Sequence, residues 1–304
     1  MKRVFDHASL LLLLTAAIVF GIMEPRFLAW SNLTNILTQS SSSIVAATGM
    51  TFVLLTAGVD LSLGAMMFLC AAAAGKMALA GQPLPACAAA MLGCGILCGA
   101  VNATAVVWLR VLPFIVTLAT LYLGRGLALT ITETRAMNLP EAWLGLGRPS
   151  IAISISAAVV TVAEITLRYT VYGRHLYAVG AARRIAEYAG LPSRRLVFSV
   201  YVVSGACAAI AALLTLGQLG AVSPKFGENR EFTAIAAAVL GGTSLFGGRG
   251  GVFPGAVFGA LLMQSIETGL VMVNADPYLY PMIMASVIFA VVLLDARRRK
   301  PGRA

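Results

Sequence analysis

Charged side chains are scarce in this sequence, and the groups that most enzymes use for catalysis are scarcer still. Only 11% of the 304 residues are charged, and His7 and His175 are the only histidines. Neither histidine has cysteine, serine or carboxylate neighbours in a pattern typical of a nucleophile or a metal site. The sequence therefore argues against an enzyme, and we expect no cofactor.

The five cysteines also lack the spacing of metal ligands. They lie in stretches rich in alanine, leucine and glycine, without histidine or carboxylate neighbours, at positions 70, 87, 94, 98 and 207. Neither a zinc site nor a disulfide framework is supported, so we interpret them as small packing residues. The glycine-rich run 241–251 lacks the Gly-Lys-Ser/Thr ending of a phosphate-binding loop, so any ATP must be hydrolysed by another subunit.

Hydrophobic residues dominate instead, at 59% of the chain, with a mean hydropathy of +0.89. A bilayer core needs about 20 apolar residues per helix, and the chain offers a series of such runs separated by short polar breaks. We therefore predict an all-α, polytopic membrane protein, with residues 1–304 forming a single transmembrane domain. Ten spans are predicted near 8–23, 33–57, 61–80, 84–109, 112–132, 150–168, 196–217, 231–247, 251–273 and 279–295.

The net charge of +10 reflects topology and does not indicate nucleic-acid binding. With the amino terminus inside, the predicted cytoplasmic segments hold fifteen Lys and Arg residues and the outer segments hold six. Of the 22 basic residues, Arg125 alone is assigned to neither side and is expected deep within a span. This bias satisfies the positive-inside rule and places both termini in the cytoplasm, with the protein in the inner membrane and in contact with lipid.

Two segments interrupt the helical pattern, at 58–64 and 241–251. Irregular backbone at membrane depth is tolerated only against protein or a water-filled cavity, so both are candidates for lining a pathway. We expect Gly58 and Gly242 to be bends with positive φ, where a Cβ is strained. The second span is unusually polar between Gln39 and Thr51 and is expected to face protein or a cavity, where hydroxyls and amides suit an uncharged polyol.

Charged groups within the spans carry the strongest local signal, because a charge at bilayer depth is costly. Asp60 stands just before the third span, as its N-cap or as a gating group. Arg125 either extends to the interface or pairs internally. Glu164 is expected to pair with Arg168, four residues on. Glu267 lies inside the ninth span and is expected to face inward.

The longest inner loop, 169–195, contains good helix formers between Ala181 and Tyr188, followed by Gly190-Leu191-Pro192, a helix-stop signature. We predict a short helix at the cytoplasmic surface. The residues alone leave two interpretations open, a frayed basic loop or a docking element for a cytoplasmic partner.

Several motifs in order along almost the whole chain resemble the permeases of bacterial ABC importers for simple sugars of the ribose, xylose and galactose type. They are Gly49-Met50-Thr51-Phe52-Val53 with Gly58-Val59-Asp60-Leu61-Ser62, Pro113-Phe114-Ile115-Val116-Thr117-Leu118 with Arg125-Gly126, Gly173-Arg174-His175-Leu176-Tyr177-Ala178-Val179-Gly180, and Glu231-Phe232-Thr233-Ala234-Ile235-Ala236-Ala237 with Gly241-Gly242-Thr243-Ser244-Leu245-Phe246-Gly247-Gly248-Arg249-Gly250. Departures from the family pattern are Leu112, Ala103 and Thr233, which stand where proline, glycine and aspartate are common.

The resemblance implies about ten helices, a second permease copy or a paralogous permease, a cytoplasmic ATP-binding subunit and a periplasmic sugar-binding protein. It also implies that the inner loop presents a coupling helix to the ATPase, carried by Ala182, Arg183, Arg184, Ile185, Ala186, Glu187, Tyr188, Ala189 and Gly190. The candidate pathway or gating residues are Gln39, Ser43, Thr51, Gly58, Asp60, Ser62, Asn102, Thr117, Arg125, Gly242, Thr243 and Glu267.

Two alternatives remain at this point. An ion-coupled secondary transporter of a small polar solute also uses broken helices, but it would need a carboxylate relay, for which only the scattered Asp60 and Glu267 are available. A channel or scaffold without energy coupling is the other alternative.

Overall fold

The computed structural model describes residues 8–276 together with 278–279, 282–283, 285–286, 289 and 293. The described chain is overwhelmingly helical, as predicted. Its helices are α1 (Ala8–Met23), α2 (Trp30–Leu55), α3 (Leu63–Leu79), α4 (Leu84–Val107), α5 (Pro113–Thr132), α6 (Pro149–Tyr169), α7 (Val171–Ala181), α8 (Arg183–Tyr188), α9 (Ser193–Leu219), α10 (Arg230–Leu240) and α11 (Val257–Met272). The predicted tenth span, 279–295, lies largely outside the described residues.

Five helical segments in the described part of the chain are long and apolar enough to cross a membrane. They are α4, α5, α6, α9 and the segment 252–272, which joins α11 to the π-helical turn before it. Helices α1 and α3 are apolar but shorter. Proline occupies the first turn of α4, α5 and α6, where its missing N–H costs no helical hydrogen bond.

Helices α2 and α9 form the centre of the bundle. Helix α9 packs against α2, α3 and α4. Most of its residues are buried, as expected of a helix whose sequence is apolar all round. Helix α2 is buried from Ser40 to Leu55, which confirms that its polar face is turned toward protein. Few residues of α4, α5 and α6 are fully buried around this centre, as expected of helices whose other faces meet lipid or another subunit.

Glycine allows the backbones of α4 and α9 to approach closely. A Cβ at Gly95 would overlap the carbonyl oxygen of Gly205, and a Cβ at Gly99 would overlap that of Tyr201. Two glycines spaced four residues apart form a smooth helix face of the kind that permits close packing in membranes. Cys207, two residues beyond Gly205, is buried and packs in the hydrophobic core, as the sequence indicated.

One end of the bundle is joined by a small sheet and an ion pair. Strand β1 (Met137–Asn138) pairs antiparallel with β2 (Ala221–Val222). Four residues before β1, Glu133 Oε1 contacts Lys76 Nζ at 3.0 Å. This ion pair links the end of α5 to the end of α3. This lysine lowers the pKa of the exposed Glu133 carboxyl, chiefly through the hydrogen bond. Helices α7 and α8 follow α6 at the opposite end.

The predicted span 231–247 requires correction. Helix α10 has 11 residues and is about 16 Å long at 1.5 Å per residue, half of a hydrocarbon core about 30 Å thick. It ends at Leu240 because Gly241 and Gly242 follow, and Gly242 has a φ of 92°. Arg230, its first residue, donates to the hydroxyl of Ser43, the middle of α2. Helix α10 is thus a half-helix that begins at mid-depth in the bundle.

Candidate translocation pathway

Asp60 lies at the centre of a buried polar network that joins three parts of the bundle. Its side chain is 0% exposed. Asp60 Oδ1 accepts from the Ser62 hydroxyl at 2.6 Å and from the Ser62 N–H at 3.1 Å, and Oδ2 accepts from the Ser204 hydroxyl of α9 at 2.8 Å. Asn102 Nδ2 on α4 donates to the Ser62 hydroxyl at 2.7 Å. A carboxylate that receives three donors is stabilised without a cation.

The residue with positive φ at this break is Ala57, one residue before the predicted bend. Helix α2 ends at Leu55, and Ala57 then adopts a φ of 58°. The prediction of positive φ at Gly58 is therefore wrong. Gly58 is needed for a different reason, since a Cβ there would lie 2.8 Å from the Tyr201 hydroxyl oxygen.

Asp60 is also not the N-cap of α3, as one sequence interpretation had it. Ser62 occupies that position, and the Asp60 carboxylate reaches it from two residues earlier. The Asp60 carboxyl group still lies beside the amino terminus of α3, where the helix dipole favours an anion. Val59 O receives a long 3.4 Å contact from the Thr117 hydroxyl of α5, so predicted residues 60, 62, 102 and 117 do come together.

A second carboxylate lies at the amino terminus of the half-helix α10. Glu231 is 4% exposed. The charge of Arg125 on α5 attracts its carboxylate, whereas the charge of Asp60 repels it. A Cβ on Gly64, in the first turn of α3, would overlap Glu231 and the carbonyl of Gly227. The amino termini of α3 and α10 therefore meet inside the bundle, each beside a buried carboxylate. Discontinuous helices arranged in this way form solute and ion sites in transporters.

The segment that enters the bundle before α10 escaped the sequence analysis, which placed it in an outer loop. Phe226 is buried, and Gly227 and Asn229 adopt positive φ values of 69° and 61°. The signal in the sequence was the run of turn-forming residues from Ser223 to Asn229. Ser204 and Glu231 were missed as well, because their partners are remote in the chain.

Other predicted residues lie apart from the Asp60 network. Gln39 Oε1 accepts from Gln264 Nε2 of α11 at 3.0 Å, and Thr51 donates only to Ala47 O of its own helix. Glu267 is partly buried on α11. Ser43 contacts Arg230, as described above. These residues lie on α2 and α11, apart from the Asp60 network, and the hydrogen bond of Gln39 bridges the two helices.

The glycine-rich segment 241–251 lies at the α7 end of the bundle. Gly242 is exposed and adopts positive φ, as predicted. Thr243 is buried, and its hydroxyl has no hydrogen-bond partner among the described residues. The predicted Glu164–Arg168 ion pair is confirmed, and both side chains also bind the backbone of Phe253, Glu164 at its N–H and Arg168 at its carbonyl.

The predicted surface helix is present as α8. Within α8, Ala186 is buried, while Ile185 is 69% exposed and Tyr188 is 91% exposed. Arg183 Nε pairs with Glu187 Oε1 at 3.1 Å across one turn. A short helix with a buried base, two large exposed apolar side chains and a charged rim has the composition of a small protein interface.

The family model described as the permease component of branched-chain amino acid transport systems matches residues 32–294. The chain belongs to this permease family. It is 33% identical to the D-allose transport system permease protein AlsC of Escherichia coli K12, over 95% of this chain and 91% of that protein. It is also 33% identical to the ribose import permease protein RbsC of the same strain, over 97% of this chain and 94% of that protein.

A third relative is the fructose import permease protein FrcC of Rhizobium meliloti, 32% identical over 97% of this chain and 88% of that protein. No solved structure matches the permease significantly. Membership in this family places the permease in the inner membrane and makes it a transport component that is not itself catalytic.

The permease has a cavity of about 460 Å³ between α2, α6 and α11. Its walls are almost entirely apolar, and none of the predicted pathway residues lines it. Such walls offer few partners for the hydroxyl groups of a polyol. The polar faces of α2 and α11 and the region where α3 and α10 begin are better suited to a hydrophilic solute.

Proposed function

We propose that the permease is the membrane-spanning subunit of an ATP-driven ABC importer that moves a monosaccharide delivered by a periplasmic binding protein. Three relatives that cover nearly the whole chain are named as permeases for allose, ribose and fructose. The polar interior agrees with such a cargo, because hydroxyl and amide groups predominate on α2. The ATP-binding subunit is a separate chain, and a second permease copy or a paralogue completes the pathway.

The proposal of energy coupling rests on the exposed side chains of helix α8. Its exposed Ile185 and Tyr188 would be solvated at a cost unless a partner covers them. The end of the bundle that carries α7 and α8 also carries the basic residues of the 169–195 loop, so this end is the cytoplasmic one. The remaining spans, including the carboxyl-terminal one, complete a bundle of about ten with both termini inside.

The candidate pathway residues are assigned two roles. Gln39, Ser43 and Thr51 on α2 and Glu267 on α11 contribute to the polar wall. Asp60 is inaccessible in this conformation, so it acts on gating by holding the break between α2 and α3 against α4 and α9. Ser62, Asn102, Thr117 and Arg125 support this break, and Gly242 and Thr243 shape the cytoplasmic loop.

The function is tested by uptake of radiolabelled ribose, allose and fructose into cells that express the permease with its cognate ATP-binding and binding proteins. Omission of either partner should abolish uptake, and vanadate, an inhibitor of ABC ATPases, should block it in vesicles. Uptake that continues without the ATP-binding subunit and collapses with a proton or sodium ionophore would instead establish the ion-coupled alternative.

The coupling surface is tested by the double variant Ile185→Ala and Tyr188→Ala. If both side chains are buried anchors, association with the ATP-binding subunit should weaken by about 2–4 kcal/mol while membrane insertion is unchanged. Arg184→Lys, on the same helix, keeps its charge and serves as the control. Normal co-purification and normal substrate-stimulated ATP hydrolysis in the double variant would remove α8 from the interface.

A further inference from the structure

Three backbone segments meet directly where α7 ends. The Gly248 N–H donates to the Leu55 carbonyl at 2.9 Å, joining the glycine-rich loop to the end of α2. Gly180, in the last turn of α7, lies against both, since a Cβ at this position would overlap Leu55 O and lie 2.6 Å from Gly248 N. We refer to residues 55–57, 180–181 and 247–248 as the backbone junction.

Neither glycine of the loop part of the backbone junction leaves room for a side chain. A Cβ on Gly247 would be 2.7 Å from Gly180 O, and a Cβ on Gly248 would be 2.7 Å from Ala181 Cα. Both residues have positive φ, 82° and 70°. The contacts are therefore made by main-chain atoms, which cannot adapt by changing rotamer, so a displacement of one segment must displace the others.

Helix α7 is also attached to the glycine-rich loop by a side chain. The Tyr177 hydroxyl donates to the Gly250 carbonyl at 2.8 Å. Burial, followed by the nearby charge of Glu164, raises the pKa of the Tyr177 phenol, so it stays protonated and remains a donor. On the opposite side, Leu176 and Val179 are buried in the core. Helix α7 and the loop therefore form one unit.

The chain runs from the backbone junction straight into the Asp60 network. Only four residues separate Leu55 from Asp60, and the chain between them is fixed at Ala57 by its positive φ and at Gly58 by contact with Tyr201. On the other side, α8 begins at Arg183, three residues after Gly180. The surface helix and the buried carboxylate are thus connected by a short path without a flexible linker.

We propose that the backbone junction transmits movement of α7 and α8 to the Asp60 loop, and that Gly180, Gly247 and Gly248 are positioning residues for energy coupling. This inference rests on the proposed function, since it needs an ATP-driven partner on α8. It adds the route by which movement of that partner is transmitted to the interior of the permease. The residues act through backbone contact and do not touch the solute.

The test compares Gly180→Ala and Tyr177→Phe with Ala178→Ser, a control at an exposed position of the same helix. For each variant in complex with the ATP-binding subunit, uptake, ATP hydrolysis and co-purification are measured. We expect Ala178→Ser to match the unmodified permease. Gly180→Ala should retain the ATP-binding subunit and its hydrolysis but lose uptake per ATP by about tenfold or more, because the added methyl group separates the segments. Tyr177→Phe should lower the same ratio to a smaller extent.

A purely structural role would reduce uptake, hydrolysis and co-purification together, and that result would overturn the inference. An uptake-to-hydrolysis ratio in Gly180→Ala equal to that of Ala178→Ser would also overturn it. If Gly180→Ala does not fold, the ratio in Tyr177→Phe decides, and an unchanged ratio contradicts the inference. Failure of the proposed function is detected separately, as ATP-independent uptake by the unmodified permease.

Discussion

The hydrogen bond between Ser204 and Asp60 provides the sharpest test of the buried network. Ser204→Ala removes the 2.8 Å bond from α9 to Asp60 Oδ2 and leaves that oxygen without this donor. Interhelical hydrogen bonds in membranes average about 0.6 kcal/mol and reach about 1.7 kcal/mol. Because this acceptor is a carboxylate and both groups are 0% exposed, we expect a cost at the upper end, about 1–2 kcal/mol.

A larger effect is expected at the carboxylate itself. Asp60→Ala leaves three donors unsatisfied, the Ser62 N–H, the Ser62 hydroxyl and the Ser204 hydroxyl. Each buried unsatisfied donor costs about 1–3 kcal/mol, so this variant should lose at least about 3 kcal/mol. The order of stability is therefore unmodified permease, Ser204→Ala, then Asp60→Ala.

The assay is unfolding of the purified permease in mixed micelles by increasing sodium dodecyl sulfate, followed by circular dichroism. Ser156→Ala is the matched control, because the Ser156 hydroxyl is also buried but donates only to Ile153 O of its own helix. The control should lose less than about 0.5 kcal/mol. If Ser204→Ala is as stable as Ser156→Ala, α9 does not hold the Asp60 carboxylate and the network is incorrectly assigned.

Two further predictions concern packing and topology. Gly95→Ala should destabilise the permease by about 1–3 kcal/mol, because its methyl group overlaps α9. The control Gly93→Ala, whose added Cβ has nothing within 4 Å, should not destabilise it. Equal unfolding midpoints for the two variants would contradict the close contact. In a background without the five native cysteines, Ala178→Cys should react with an impermeant thiol reagent only from the cytoplasmic side, and Ala142→Cys only from the periplasmic side. The reverse labelling pattern would invert the proposed orientation.

Features that depend on neighbours in the chain were predictable. The break predicted at 58–64, the short helix that became α8 and the Glu164–Arg168 pair all follow from glycine, helix-stop residues or a four-residue spacing. The exposed positions of Ile185 and Tyr188 agree with the predicted docking helix. Each of these features involves atoms within about two helical turns of one another.

Features that depend on remote partners were not predictable in detail. Ser204 is 144 residues from Asp60, and nothing in its own surroundings distinguishes it from an ordinary small residue of a packed helix. The apolar run 231–247 has the hydropathy expected of a span, but only Arg230–Leu240 is helical there. Hydropathy could not separate a half-helix buried against protein from a full span that meets lipid, since both environments favour apolar side chains.

The sequence by itself determined that this chain is a helical membrane protein, which membrane orientation its basic residues favour, and where its surface helix begins. Composition and short-range pattern suffice for these properties because transfer into lipid and helix formation are set residue by residue. Only the tertiary structure decided that α3 and α10 begin within the bundle beside Asp60 and Glu231, and that Gly180, Gly248 and Leu55 touch. Those contacts arise because polar and main-chain groups removed from water must find partners wherever the packed helices bring them.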